Sequence, residues 1–327
     1  MKIGKIPENI LERSVFKIIK HRRDEVIVRP GVGLDCTHMA VEDGYAIVLS
    51  TDPITGSDDM IGTLAVNVTA NDIASSGAEP IGIMVSALLP KYTKERVLKE
   101  IMNEIEGACS ELNIEVMGGH TEVTEAVAKP LLTITGVGKI KKDRIFDPKK
   151  IEAGMDVVMT KWAGVEGTAI IAAKKKEDLL SRYTEEFVDG AINLMDNISI
   201  VKDAKIAFDN GALLMHDVTE GGVYGALWEV ASAAGKGIEV DLKKIPIKQE
   251  TVEVCEFFDL NPYMLISSGS LMIVANHGNL IVDELEKAGI HACVIGRITD
   301  GNERIVKNET EIRYLEPAST DELYKVK

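Results

Sequence analysis

Cysteine is scarce in this chain and never paired at short range. The four cysteines, Cys36, Cys109, Cys255 and Cys293, lie far apart and form no Cys-x-x-Cys pair. They point to neither a zinc site nor a disulfide framework, and are expected to be reduced packing residues. No segment approaches the roughly 20 consecutive apolar residues needed to span a bilayer. Residues 1–19 lack the uninterrupted apolar stretch and small-residue cleavage site of a secretory signal, so a cytoplasmic location is expected. Basic residues are in deficit, with 37 Lys plus Arg against 52 Asp plus Glu and a formal net charge of -15. That balance argues against nucleic acid or an anionic membrane as the main partner. Low-complexity tracts and short-period repeats are absent as well.

With 327 residues, 45% of them hydrophobic and 27% charged, the chain is long enough for two domains with sizeable cores and is not compositionally disordered. The informative stretch is Ser50 to Pro90. An apolar run ending in Ser50-Thr51-Asp52-Pro53 reads as a strand that delivers a carboxylate at its C-terminal end, where open α/β folds bind ligands. Gly62 to Gly77 then carries Leu64, Ala65, Val68, Ile73 and Ala74 at helical spacing, with Asn67, Asn71 and Asp72 among them. Asp52 and Asp72 suit Mg²⁺, a hard cation that takes one or two carboxylates and keeps water and phosphate oxygens as its other ligands. The same residues would also serve as a turn before Pro53 and as helix-capping or solvated positions.

Upstream, Ile10 to Ile19 reads as an amphipathic helix closed by His21-Arg22-Arg23. In Gly31-Val32-Gly33 two glycines allow the backbone to approach a ligand, and Asp35 could join the metal carboxylates; so short a motif by itself reads first as a plain turn. Val41 to Leu49 is expected to form a hairpin around Glu42-Asp43-Gly44. Ile81 to Leu89 reads as a strand and Thr93 to Leu112 as a helix with Val97, Ile101, Ile105, Ala108 and Leu112 on one face. Gly118-Gly119-His120-Thr121 follows a short strand as a candidate phosphate cradle, with Gly118, Gly119 and Thr121 as donors and His120 open to an acid-base or a structural role.

The expected linker lies between Ile140 and Gly154. Beyond it, Ala212 to Gly225 is the second chemically rich stretch: a strand ending in His216-Asp217, then Thr219-Glu220-Gly221-Gly222 and a helix. A strand, a glycine turn and a helix N-terminus suit an anion, although an ordinary βα loop capped by Asp217 or Thr219 has the same pattern. Glu303 to Tyr314 is expected to be a hairpin, and the polar residues from Glu316 onward a mobile tail.

Together these blocks resemble the aminoimidazole ribonucleotide (AIR) synthetase superfamily, and within it the HypE-type hydrogenase maturation factors. The resemblance is carried by Gly31 to Asp35, Ser50-Thr51-Asp52, Asn67 to Pro80, Gly118 to Thr121, His216 to Gly222 and Ile266-Ser267-Ser268-Gly269-Ser270, in that order from about Pro30 to Ile298. It implies a two-domain α/β (α+β) fold, with N-terminal strands completing a barrel with a second subunit and a C-terminal α/β domain. The corresponding division is an N-terminal helix and glycine segment (1–36), an ATP-binding domain (37–140), a C-terminal domain (150–301) and a terminal hairpin and tail (302–327). It further implies a homodimer with ATP and Mg²⁺ in a cleft involving both domains. Asp35, Asp52 and Asp72 match the metal and phosphate carboxylates, Gly118, Gly119 and Thr121 the nucleotide segment, and Asp217 with Gly221-Gly222 the part facing the substrate and the terminal phosphate, so that Thr219, Gly221 and Gly222 count among the cofactor-binding residues. His120 and His216 are candidate proton carriers. The implied chemistry is ATP-dependent activation of an amide, carbamoyl or phosphate oxygen on a small-molecule or protein-borne acceptor, with a maturation protein as a possible partner.

Three departures shape the expectation. The superfamily's Gly-Asp-Asp-Ala-Ala block reads Gly33-Leu34-Asp35-Cys36-Thr37, His120 stands where many relatives carry a carboxylate, and the terminal carrier cysteine of HypE is missing from Asp321 to Lys327. Cys293 falls inside an expected strand, so the HypE reaction in its usual form is not expected. A non-catalytic ATP sensor or maturation scaffold and a ThiL-like small-molecule kinase are the competing readings.

Overall fold

The computed structural model describes residues 3–31, 36–54, 60–317 and 320–326. Gly33 and Asp35 therefore lie outside the described residues. The chain divides into two units, one of Met1–Ala74 with Ala78–Ile145, the other of Ser75–Gly77 with Phe146–Lys327.

In the first unit the elements run β1 (Gly4–Lys5), α1 (Glu8–Leu11), β2 (Val26–Val28), β3 (His38–Met39), β4 (Tyr45–Ile54), α2 (Ile61–Ser75), β5 (Glu79–Pro90), α3 (Glu95–Leu112), β6 (Glu115–Thr124) and β7 (Leu131–Lys141). Among the described residues they form a five-stranded sheet in the order β1-β6-β5-β7-β4, with β2 and β3 paired apart from it. β5 and β6 are parallel, and α3 is the crossover that such a pair requires. α3 buries Leu98, Ile101, Met102, Ile105, Ala108 and Cys109, a stripe at helical spacing, and ends at Asn113 in the left-handed conformation. α2 lies directly on β7, because a Cβ at Gly138 would fall 2.3 Å from Ile73 Cγ2 and only glycine leaves that room. Pro53 is tolerated inside β4 because β4 is an edge strand.

The hairpin expected over Val41 to Leu49 does not form. β3 pairs with β2, and β4 instead holds a ten-residue register with β7, from Tyr45 opposite Lys141 to Ile54 opposite Leu132. A long ladder with a buried face outweighs a local two-residue turn signal. The segment around β2 is fastened by charge. Glu115 is fully buried and accepts from the Arg23 backbone N–H at 2.5 Å and from Arg29 Nε at 2.7 Å. Arg23 in turn pairs with Glu25 and Glu79, each at 2.7 Å.

In the second unit the order is β8 (Asp156–Thr160), α4 (Val165–Lys174), α5 (Lys176–Leu180), α6 (Glu185–Ile192), α7 (Val201–Asp209), β9 (Ala212–Asp217), α8 (Gly222–Ala234), β10 (Gly237–Asp241), α9 (Gln249–Phe258), β11 (Leu271–Ala275), α10 (Gly278–Lys287), β12 (Ala292–Thr299), β13 (Arg304–Asn308) and β14 (Glu311–Tyr314). Among the described residues the strands make one sheet, β14-β13-β10-β12-β8-β11-β9, with β10 and β13 parallel. Val157, Met159, Met272, Val274 and Ile295 on the sheet pack with Val223, Leu227 and Val230 of α8. A second cluster joins Ile171, Leu179, Val188, Val254 and Leu265. The terminal hairpin forms as β13–β14. The mobile tail does not: Asp321 is 2% and Glu322 4% exposed.

Candidate functional site

Side chains alternate faces along a strand, and this decides what β4 can present. Ser50 and Asp52 point to the same side of β4, two residues apart, while Thr51 points to the other and meets Thr135 Oγ1 at 3.1 Å. α2 brings Asp72 to the first pair. Ser50 Oγ lies 2.5 Å from Asp72 Oδ2 and 3.5 Å from Asp52 Oδ2. Both carboxylates are partly exposed, whereas Asn67 (6%) and Asn71 (0%) are buried in α2. Asn67 is turned back onto its own helix, its amide donating to the Thr63 carbonyl. Two hard oxygen donors that reach solvent, gathered about one hydroxyl, fit Mg²⁺. Among the described residues no group of three His, Cys, Asp or Glu side chains could hold a metal, so phosphate and water would complete the shell.

The glycine motif sits differently from the cradle expected of it. Gly118, Gly119, His120 and Thr121 lie inside β6, not in a loop after it. Gly119 is required by the sheet itself, since φ is +144° and a Cβ there would fall 1.9 Å from the Val85 carbonyl oxygen. By register, Gly118 and His120 sit opposite Met84 and Ser86, and Thr121 opposite Ala87, on the alternate face. A cavity of about 400 Å³ opens on the first of these faces, lined among others by Gly31, Ser86, Gly118, His120, Thr133 and Thr135. His120 is 45% exposed and its Nε2 lies 3.2 Å from Glu122 Oε2. Within this unit, then, the structure gathers Gly31, Gly118 and His120 at a cavity, and Asp52 with Asp72 on the face of β4 that α2 covers.

In the second unit His216 and Asp217 alternate as neighbours on β9 must. His216 Nε2 meets Glu229 Oε2 at 2.7 Å, and Asp217 is 5% exposed. Thr219 lends its carbonyl to the Gly222 N–H at 3.0 Å, closing the turn that starts α8. Gly221 and Gly222 both have positive φ, +84° and +60°. A Cβ on Gly222 would also lie 2.6 Å from the Leu265 carbonyl oxygen, so this turn admits only glycine there.

Two acids that the sequence did not single out are buried near this turn, and one of them, Asp321, is bonded to it. Asp321 accepts from the Gly221 N–H (2.8 Å), the Ile266 N–H (3.2 Å) and the Leu323 N–H (2.8 Å). Burial raises its pKa, and those three backbone donors pull the other way. Glu166, in the first turn of α4, is 3% exposed and accepts from the Ser268 N–H at 3.3 Å. Its carboxyl is pushed up to about 7, chiefly by burial, with the charges of Asp321 and Glu220 adding to it. The only sequence signal for Asp321 was its place two residues before Leu323, as a capping acid at a helix start. Glu166 was visible only as the acid within Gly164 to Gly167.

Residues 33–140 match the model of the AIR synthase related protein N-terminal domain, and residues 152–308 that of the C-terminal domain. The chain belongs to the AIR synthase related family. Among curated members, carbamoyl dehydratase HypE of Cupriavidus necator is 27% identical over 249 residues, covering 74% of this chain and 69% of the relative. The solved structure of the hydrogenase maturation protein HypE in complex with ATP superposes with a TM-score of 0.82 at 18% identity, over 99% of this chain and 97% of that one. Thiamine-monophosphate kinase from Stenotrophomonas maltophilia superposes with a TM-score of 0.73 at 18% identity, over 93% and 96%. This family fold accounts for the two mixed α/β units, and no helix among the described residues is long and apolar enough to cross a membrane.

Proposed function

We propose that the chain is an ATP- and Mg²⁺-dependent enzyme that activates an amide, carbamoyl or phosphate oxygen of an acceptor by phosphorylation. The observation that carries this reading is the convergence of Asp52 and Asp72 on Ser50. Two partly exposed carboxylates gathered about one hydroxyl offer the hard oxygen donors that Mg²⁺ takes, leaving its other positions to water and phosphate. Mg²⁺ bound there would neutralise phosphate charge, the main demand in phosphoryl transfer. Asp35 is assigned to the same metal from the resemblance.

The γ-phosphoryl group passes to the acceptor oxygen and ADP leaves. Gly31, Gly33, Gly118 and Gly119 are assigned to the nucleotide; Thr121, on the alternate face of β6, and Asn67 and Asn71, buried in α2, are assigned to it from the resemblance alone. Thr219, Gly221 and Gly222 are assigned to the terminal phosphate of the nucleotide and the anionic group of the acceptor that meets it, with Asp217, His216 and His120 as the candidates for moving or holding the acceptor's proton. The enzyme is read as a homodimer through the open face of β4, where Ile47 (41%) and Leu49 (65%) stand exposed on an edge strand. The acceptor is a small molecule or a group borne on another protein.

Calorimetric titration with ATP, with and without Mg²⁺, followed by an assay for ADP release, tests the reading. Mg²⁺-dependent binding with turnover supports it. Binding without turnover, in the presence of carbamoyl and phosphate acceptors, leaves a nucleotide sensor, and absence of binding removes the reading altogether. The kinship in fold with thiamine-monophosphate kinase supports a small-molecule kinase as the second reading, to be separated by which acceptor accelerates ADP release.

A further inference from the structure

The segment Asp321 to Lys325 reads as a solvated terminus, Asp-Glu-Leu-Tyr-Lys, yet its two acids are nearly completely buried. Burying a carboxylate is costly unless donors compensate it, and here the donors come from the body of the unit. Asp321 takes the Gly221 N–H and the Ile266 N–H, 100 and 55 residues away in sequence. Glu322 Oε2 accepts from the Asn261 N–H at 3.1 Å, and Tyr324 Oη donates to Glu220 Oε1 at 2.8 Å. Asp321 is thus an anion seated at the start of α8, a helix of 13 residues, where the helix dipole favours negative charge and the N–H of the N-cap Gly221 donates to it.

Little apolar surface holds the segment in place. Leu323 and Val326 are partly buried against the cluster of Ile171, Leu179 and Val254, while Tyr324 is 62% exposed. Acids crowd the seat as well: Glu220 precedes the turn and its charge counts against Asp321, as both their charges do against the buried Glu166. The contact is therefore made by a few backbone hydrogen bonds against like-charge repulsion, which suits a contact that opens.

We propose that Asp321 to Lys325 is an internal strap whose Asp321 carboxylate occupies the Gly221–Gly222 turn and must leave before an anionic group of the acceptor can bind there. The inference rests on the assignment of that turn to the acceptor. In the resting chain the strap holds the donors with an anion of its own, and an acceptor carrying phosphate or carboxylate competes with it. The apparent affinity for that anion is lowered in proportion to the small fraction of chains in which the strap is open.

The test uses the full chain, inorganic phosphate as the probe and two variants, Asp321→Ala and Tyr324→Phe. The second removes only a hydroxyl at an exposed position, so it reports even if the first fails to fold. Phosphate affinity is read by calorimetry, and amide hydrogen exchange is followed on the peptide covering residues 218–226. Asp321→Ala is expected to bind phosphate at least about ten-fold more tightly than the unaltered chain, with faster exchange of the peptide that phosphate suppresses again. Tyr324→Phe should move both readouts the same way by a smaller factor. Unchanged phosphate affinity in the folded variants, or exchange as slow as in the unaltered chain, overturns the strap. Mg²⁺-ATP binding is measured alongside. Its absence in the unaltered chain, with the gain in phosphate affinity intact, would sink the enzyme reading and leave the strap standing.

Discussion

The Ser50 hydroxyl stands between two carboxylates, 2.5 Å from Asp72 Oδ2 and 3.5 Å from Asp52 Oδ2. A hydroxyl has one proton to donate, and the shorter contact takes it. Asp52 is left with the longer, weaker approach and is the one more dependent on a cation. Asp52→Asn is therefore expected to weaken Mg²⁺-ATP binding by at least about ten-fold, or roughly 1.4 kcal/mol, with ATP affinity in the absence of Mg²⁺ nearly unchanged. Asp72→Asn should do the same while also loosening Ser50. Circular dichroism and calorimetry on both variants check this, and equal ATP affinity with and without Asp52 would remove it from the metal site.

Glu166 makes stability depend on pH. Its folded pKa of about 7 stands above the ordinary 4.5, so the folded state binds this proton more tightly than the unfolded chain. The contribution is fully present below about pH 4.5, falls as pH rises toward 7, and is lost above it. The span corresponds to about 3 kcal/mol. Glu166→Gln should flatten that part of the pH-stability curve and raise stability at pH 8 relative to the unaltered protein. Chemical denaturation at pH 5, 6, 7 and 8 measures it; parallel curves for the two proteins would show that Glu166 does not titrate there.

Leu49 and Ile47 on the open face of β4 carry the expected self-association. Leu49→Asp places a charge at a position 65% exposed in the single chain, so the fold should tolerate it while the dimer does not. Light scattering is expected to report a drop from twice the chain mass to the chain mass. A variant that stays dimeric would move the interface elsewhere.

Glu115 anchors the Arg23 to Arg29 segment from beneath, fully buried and accepting from the Arg23 backbone and the Arg29 side chain. Glu115→Ala leaves those donors without their buried partner and is expected to cost about 3 kcal/mol. Glu115→Gln, which keeps an acceptor oxygen, should cost clearly less. Urea denaturation of both variants tests the order, and equal losses would mean that packing, not the charge, holds the segment.

The sequence by itself determined the elements and much of the chemistry. Helical period identified α2 and α3, and the strand pattern near the end the β13–β14 hairpin, because each is specified by residues close in sequence. The strand that carries Asp52 was legible for the same reason, although it runs on to Ile54, and so was the ordered set of motifs from Pro30 to Ile298 that marks the family. Tertiary structure decided the pairings and the partners. The partner of β4 was settled by a ladder with β7, nearly 90 residues away in sequence, and the glycine motif at Gly118 became the interior of a strand because β5 offered it a parallel neighbour. Ser50 between Asp52 and Asp72 required α2 to be laid on Gly138. Asp321 was invisible as a buried anion, since its compensation comes from two N–H groups that only folding brings to it. Local patterns are written in neighbouring residues; the cancellation of a buried charge depends on which distant donors the fold delivers.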